Sequence, residues 1–208
     1  MSFEIDNNEM LRLQERLKLV VHPDRRLPDP VFQPQYGSFR FTEFDATVAD
    51  QFWPALRGLM RASVDEHCSL AVLDPDPFNY FFVQFKKYGA RRFEFGNTAE
   101  DYYDALSAEP NGSPADALLY NSEVIVWVPD SLRWAVWGER SLGVAVIAAD
   151  AALGPAIKPI LEEAGLATSS LDRAVLDYIA LNIRDVGALD AFSRKFEAIY
   201  GQRTCYRK

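Results

Sequence analysis

The chain is poor in the residues that most often carry chemistry. It has two cysteines, Cys68 and Cys205, set 137 positions apart, and two histidines, His22 and His67. No CxxC pair occurs, and His67 and Cys68 are adjacent, so on a helix or strand their side chains diverge and the imidazole is badly placed to activate the thiol. A zinc site would need Asp65, Glu66 or Cys68 to complete it. DPDPFN lacks the glycine and glutamate of a calcium loop, GERSLG is not a GxSxG elbow, and no GxGxxG or GxxxxGK[ST] is present. No spacing singles out a carboxylate pair for acid–base work. No catalytic residue, metal ligand or cofactor is therefore expected.

The chain also lacks long apolar runs and clustered positive charge. Its longest apolar stretch, around Leu142–Ala149, is too short to span a bilayer. The opening MSFEIDNNEM is polar and acidic, unlike a secretory signal, and the expectation is a cytoplasmic protein with reduced thiols. The net charge is −8. Residues 41–120 carry 13 acids against 6 bases, whereas the segments on either side are nearly balanced. An acidic middle disfavours nucleic acid, whose phosphates need Lys and Arg, and favours a basic partner through electrostatic steering.

What is present suits a globular core: 49% of the 208 residues are apolar, enough to bury a large domain. Residues 9–21 read as a helix, with Met10, Leu13, Leu17 and Val20 or Val21 on one stripe. Residues 22–37 hold Pro23, Pro28, Pro30 and Pro34 and read as an extended arm. A body over residues 38–208 follows. It opens with a strand from residue 38, a helix over 50–63 with Asp50 as cap and Pro54 in the first turn, and a short strand at 69–73. Residues 78–95 fit either a helix ending at Gly89 and then a strand, or a hairpin. Phe78, Phe81, Phe82 and Phe85 share a helical face, which favours the helix. Asn97 and Thr98, with Asp101 three residues after Thr98, cap a further helix. From about residue 154 the pattern is helical, with Ser169 as a cap and Gly201 as a stop.

Residues 123–149 alternate as a three-strand antiparallel meander. Loops at Pro129–Leu132 and Gly138–Ser141 would set Trp127 opposite Trp134, and Trp137 opposite Leu142. One face then carries Val124, Val126, Ala135, Trp137, Leu142, Val144 and Val146. The other carries Ile125, Trp127, Trp134, Val136, Gly143, Ala145 and Ile147, for which the C-terminal helices are the natural cover. The fold class expected is α+β: an antiparallel sheet packed by helices, with a C-terminal helical segment.

Within that meander, Trp134 and Trp137, the polar turn Gly138–Arg140 and the apolar run Leu142–Ile147 resemble the sheet region of bacterial immunity proteins from polymorphic toxin systems. The resemblance covers 27 residues and implies a cytoplasmic stoichiometric inhibitor whose acidic surface blocks a toxin. Three readings follow. In the first, the protein is a non-enzymatic binding module for a basic protein, with Asp74, Asp76, Glu100, Asp101, Asp104, Glu139 and Arg140 as contacts. In the second, it holds a small ligand or acts as an enzyme, with a pocket between sheet and helices lined by Trp127, Trp134 and Tyr178, and Gly143 and Ala145 forming a notch. In the third, the proline arm wraps a second copy in a homo-oligomer. For each acidic residue taken singly, a solvated surface is the plainer account.

Overall fold

In the computed structural model, which describes residues 4–169, 171 and 173–201, the chain folds as α+β. The elements in order are α1 (Asn7–Val20), β1 (Tyr36–Glu43), α2 (Phe44–Thr47), α3 (Trp53–Ser63), β2 (His67–Asp74), α4 (Val83–Phe85) and β3 (Ala90–Glu94). There follow α5 (Ala99–Ser107), β4 (Val124–Pro129), β5 (Trp134–Glu139), β6 (Val144–Asp150), α6 (Gly154–Glu163), α7 (Arg173–Ala180) and α8 (Val186–Tyr200). The strands form one six-stranded sheet in the order β1-β6-β5-β4-β2-β3, antiparallel throughout.

The helices cover both faces. Ile125, Trp127, Trp134, Val136, Ala145 and Ile147 point to one side and pack beneath α3, α5 and α6, which contribute Trp53, Leu56, Leu59, Tyr102, Ile157 and Leu161. Val124, Val126, Ala135, Trp137, Val144 and Val146 point to the other. There they meet Met10, Leu13 and Leu17 of α1, Leu27, Val31 and Phe32 of the arm, Ile179 of α7, and Phe192 and Phe196 of α8. The side-chain alternation over 124–127, 134–137 and 144–147 is thus as the sequence predicts, whereas Gly143 turns toward Tyr178 and Asn182 on the α7 side instead of joining the indole face. The cover differs: of the C-terminal helices, α6 joins α3 and α5 over the indole face, while α7 and α8 pack on the opposite face. The amphipathic α3 and α5, inserted between strands, already supply most of the indole cover.

The register differs from the expected one by an even number of residues. Trp127 stands opposite Val136, not Trp134, and Trp137 opposite Val146, not Leu142. The hairpin tips explain the shift. The first spans Asp130–Arg133, with Leu132 at φ 57, and Asp65 fixes it by accepting Ser131 N at 2.6 Å and Ser131 Oγ at 2.9 Å. The second is the short turn Arg140–Leu142, closed by Gly143 at φ 68, a conformation glycine adopts without steric cost.

Local signals account for most helix starts. Thr98 and Asp101 form the capping box of α5. Asp6 and Glu9 form that of α1. Asp50 lies one turn early, in a 3-10 segment (Asp50–Phe52) that precedes α3. The expected helix from Ser169 begins at Arg173 instead, and Ser169 pairs with Phe41 across the β1 edge. The arm folds back on its own chain: Val21 bridges Phe32, Leu27 N donates to Glu139 Oε2 at 3.1 Å, and Val31 N donates to the Tyr200 hydroxyl at 3.0 Å. Cys205 lies outside the described residues. Among those described, no helix is long and apolar enough to cross a membrane.

Candidate functional site

Antiparallel pairing sends alternate strand ends to the same edge of the sheet. The ends of β1, β2 and β5 therefore gather with the starts of β3, β4 and β6. This brings Asp74, Asp76, Glu139 and Arg140 to one end of the molecule, beside Glu43 and Glu123. Glu100, Asp101 and Asp104 stand apart from them on α5.

Their environments separate surface groups from structural ones. Asp74 is exposed, 3.6 Å from Arg26. Asp76 is exposed but committed to the backbone, accepting Phe78 N at 2.8 Å and Asn79 N at 2.6 Å. Glu139 is only 6% exposed, which corrects its placement in a solvated turn. Burial pushes its carboxyl above the ordinary range, against the lowering effect of the Leu27 and Trp137 hydrogen bonds. Arg140 is half-buried: Nε donates to Ser122 O at 2.7 Å, Nη2 to Leu119 O at 2.8 Å, and the guanidinium lies 4.5 Å from the Phe44 ring centroid. Both residues hold the turn together. Asp101 is occupied by the α5 cap, where the Thr98 N–H and hydroxyl hold its carboxyl below the ordinary range. Glu100 and Asp104 are exposed, with the exposed Tyr103 on the same helix.

The same end carries an aromatic patch that the sequence pattern does not disclose. Pro77–Phe82 forms a π-helical turn, and Val83 N reaches back to Phe78 O. Such turns are rare and concentrate at functional positions. The wider turn breaks the 3.6-residue face expected for Phe78–Phe85: Phe81 is buried, while Phe82 is 37% and Val83 55% exposed. Phe82 stacks on Tyr88 with centroids 4.7 Å apart. Tyr120, 63% exposed, lies in the neighbouring loop. The Tyr80 hydroxyl donates to Asp116, which also accepts from Ser113 and Asn121, and Asn111 Nδ2 donates to Phe85 O at 2.9 Å. These bonds fix the π-helical turn and the 110–121 loop to each other. The five aromatics among residues 78–85 were the available signal.

The pocket expected between sheet and helices is not assembled. Trp127 and Trp134 are fully buried. The Trp127 ring meets Phe52 edge-on, and Trp134 Nε1 donates to Ser63 Oγ at 3.0 Å. Tyr178 lies elsewhere, in a cavity of about 590 Å³ with Phe41, Glu43, Val144 and Leu166 in its wall. The Gly143 notch is filled: a Cβ there would sit 3.1 Å from Asn182 Nδ2 and 3.2 Å from Tyr178 Cε1. Cys68 is buried, and its thiol is pushed up mainly by that burial. His67 faces Asp130 at 3.2 Å instead. No cluster of His, Cys, Asp and Glu suited to a metal occurs among the described residues. No protein-family model, curated protein or solved structure matches the chain.

Proposed function

We propose that this protein is a non-enzymatic binding module that docks a basic protein at the acidic, aromatic end of its sheet, in the manner of an immunity-type inhibitor. The carrying observation is that Phe82 and Val83 of the π-helical turn, Tyr120 of the loop bonded to that turn, and the carboxylate of Asp74 at the end of β2 are all exposed, on segments already fixed by internal hydrogen bonds. Protein interfaces draw most of their affinity from a few aromatic anchors, and surrounding charge sets association rate and partner choice. A surface that is rigid beforehand loses little entropy on docking. The excess of acids over bases in residues 41–120 supplies the sign of the partner.

The test is capture from the native host's lysate at low and at high salt. Three baits are compared: the wild-type chain, the double variant Phe82→Ser with Tyr120→Ser, and Leu11→Ser, which removes an exposed apolar group on α1. A basic protein held by wild type and Leu11→Ser, released by high salt and lost with the double variant, supports this reading. No captured protein, or one indifferent to the double variant, sinks it. A second reading rests on the 590 Å³ cavity beside Tyr178, whose size is that of a small-molecule site.

A further inference from the structure

A corner of the α1-facing side of the sheet breaks the apolar pattern. Along β2, His67, Ser69 and Ala71 alternate onto this face, and Ser69 stands directly opposite Arg92 of β3. Further along, the face is apolar, with Ala71, Ala90, Val126 and Val128 under α1. At the corner, where a covering helix would be expected to meet alanine or valine, the strands present a hydroxyl and a guanidinium. The helix answers in kind. Arg12 and Arg16, four residues apart, lie on one side of α1 and join Ser69 and Arg92 around a cavity of about 90 Å³.

The donors there are under-used. Arg16 Nη1 binds Asp130 at 2.9 Å, yet Nη2 of the same guanidinium is buried without a hydrogen-bond partner. Arg92 reaches Glu9 only at 3.9 Å. Arg12 forms no ion pair with a described residue, and Ser69, a residue 5% exposed that lines the cavity, makes no side-chain hydrogen bond to one. Like charges at i and i+4 of a helix repel, and a buried unpaired N–H carries a free-energy penalty. Three guanidiniums meet two carboxylates, Glu9 in the lining and Asp130 on Arg16, and the remaining positive charge is one that an anion relieves. It stands out on a chain of net charge −8.

We infer that this cavity binds a small oxyanion of the phosphate or sulfate type. Arg12 and Arg16 approach from the helix, and Ser69 and Arg92 from the sheet. Donors on two opposed walls suit a tetrahedral ion. The volume exceeds the roughly 30 Å³ share of one water and falls well below the roughly 300 Å³ at which drug-sized pockets begin. The ligand is therefore a free oxyanion or the terminal phosphate of a larger molecule.

The test is calorimetric titration of the full chain with inorganic phosphate in a phosphate- and sulfate-free buffer at constant ionic strength. One saturable site is expected. Arg12→Gln and Arg92→Gln, both at partly exposed positions, each weaken it by about tenfold or more, the scale of one charge-assisted hydrogen bond. Arg194→Gln on α8 removes the same charge elsewhere and leaves affinity unchanged. Circular dichroism confirms that each variant is folded. A parallel titration with O-phosphoserine separates the two sources: tighter binding than phosphate assigns the cavity to a phosphorylated molecule, equal or weaker binding to the free ion. No saturable binding of either, or binding that survives both cavity variants, overturns the inference.

Discussion

The two faces of the sheet are closed by different means, and they differ in chemistry as a result. Over the indole face lie α3, α5 and α6. A helix satisfies its own backbone groups, so the sheet beneath it need offer nothing but apolar surface. That face is largely apolar, and most of its buried polar groups are met locally: Ser63 and Ser131 bond Asp65, Trp134 Nε1 donates to Ser63, the Tyr102 hydroxyl donates to Thr47 O and Arg91 Nε to Ala105 O, while Trp127 Nε1 is left without a partner among the described residues. Over the opposite face the proline-broken arm runs beside α1, α7 and α8, and its single bridge and turns satisfy only some of its N–H groups. Side chains accept two of the others. Glu139 takes Leu27 N, and the Tyr200 hydroxyl takes Val31 N while donating to Asp29 O at 2.7 Å. On this side the buried acceptors Glu139 and Tyr200 answer irregular chain.

Substitutions can break or sharpen this contrast. The largest loss is expected on the indole face: Trp127→Ala empties a fully buried indole site and should cost about 3–5 kcal/mol in chemical denaturation. Next comes Glu139→Ala on the arm face, which strands the Leu27 N–H and the Trp137 indole N–H. A loss of about 2–4 kcal/mol follows from two buried donors without acceptors.

Glu139→Gln keeps an acceptor oxygen and removes the charge. Burial raises the folded-state value of Glu139 above the ordinary 4.5, so the folded chain holds this proton more tightly than the unfolded chain. Its contribution to wild-type stability therefore rises as pH falls from neutral through the folded value, and levels off below 4.5. The Gln variant lacks that gain. Its stability relative to wild type should be most favourable near neutral pH and decline on acidification, as urea titrations across that range would reveal. A pH-independent difference would mean that Glu139 is not the titrating group.

Smaller effects lie at helix ends. Val64 caps α3 at φ 60 with a β-branched side chain that is 89% exposed. Val64→Gly should stabilise by about 1 kcal/mol, seen as a raised Tm, because the strain goes and no packing is lost. Thr98→Ala removes one side of the α5 capping box and should cost about 1 kcal/mol.

The legibility of the sequence follows the same physics. Caps are short-range, so Thr98 and Asp101 announce α5 from four residues. Alternation is local too, and it assigned residues 124–127, 134–137 and 144–147 to their faces. The Trp127–Trp134–Tyr178 pocket failed because burial alone does not distinguish a core indole from a ligand-facing one. Glu139 and Arg140 read as a charged turn, since nothing in GER reveals that residues 27, 119 and 122 converge on it. Phe82 was missed because periodicity arguments assume an α-helical pitch that residues 77–82 do not have.

The even register offset bears on how the native pairing is chosen. Sliding β5 along β4 by two residues leaves each side chain facing the layer it faced before, so hydrophobic burial barely separates the two alignments. Discrimination falls to the hairpin tips: Asp65 on Ser131, Tyr36 on Leu132 O, and Gly143 in its left-handed turn. A handful of hydrogen bonds at the rim thus acts as the ratchet that keeps a slippery interior in step. Weakening them would first surface as a mixture of two alternative pairings, well before the core itself came apart.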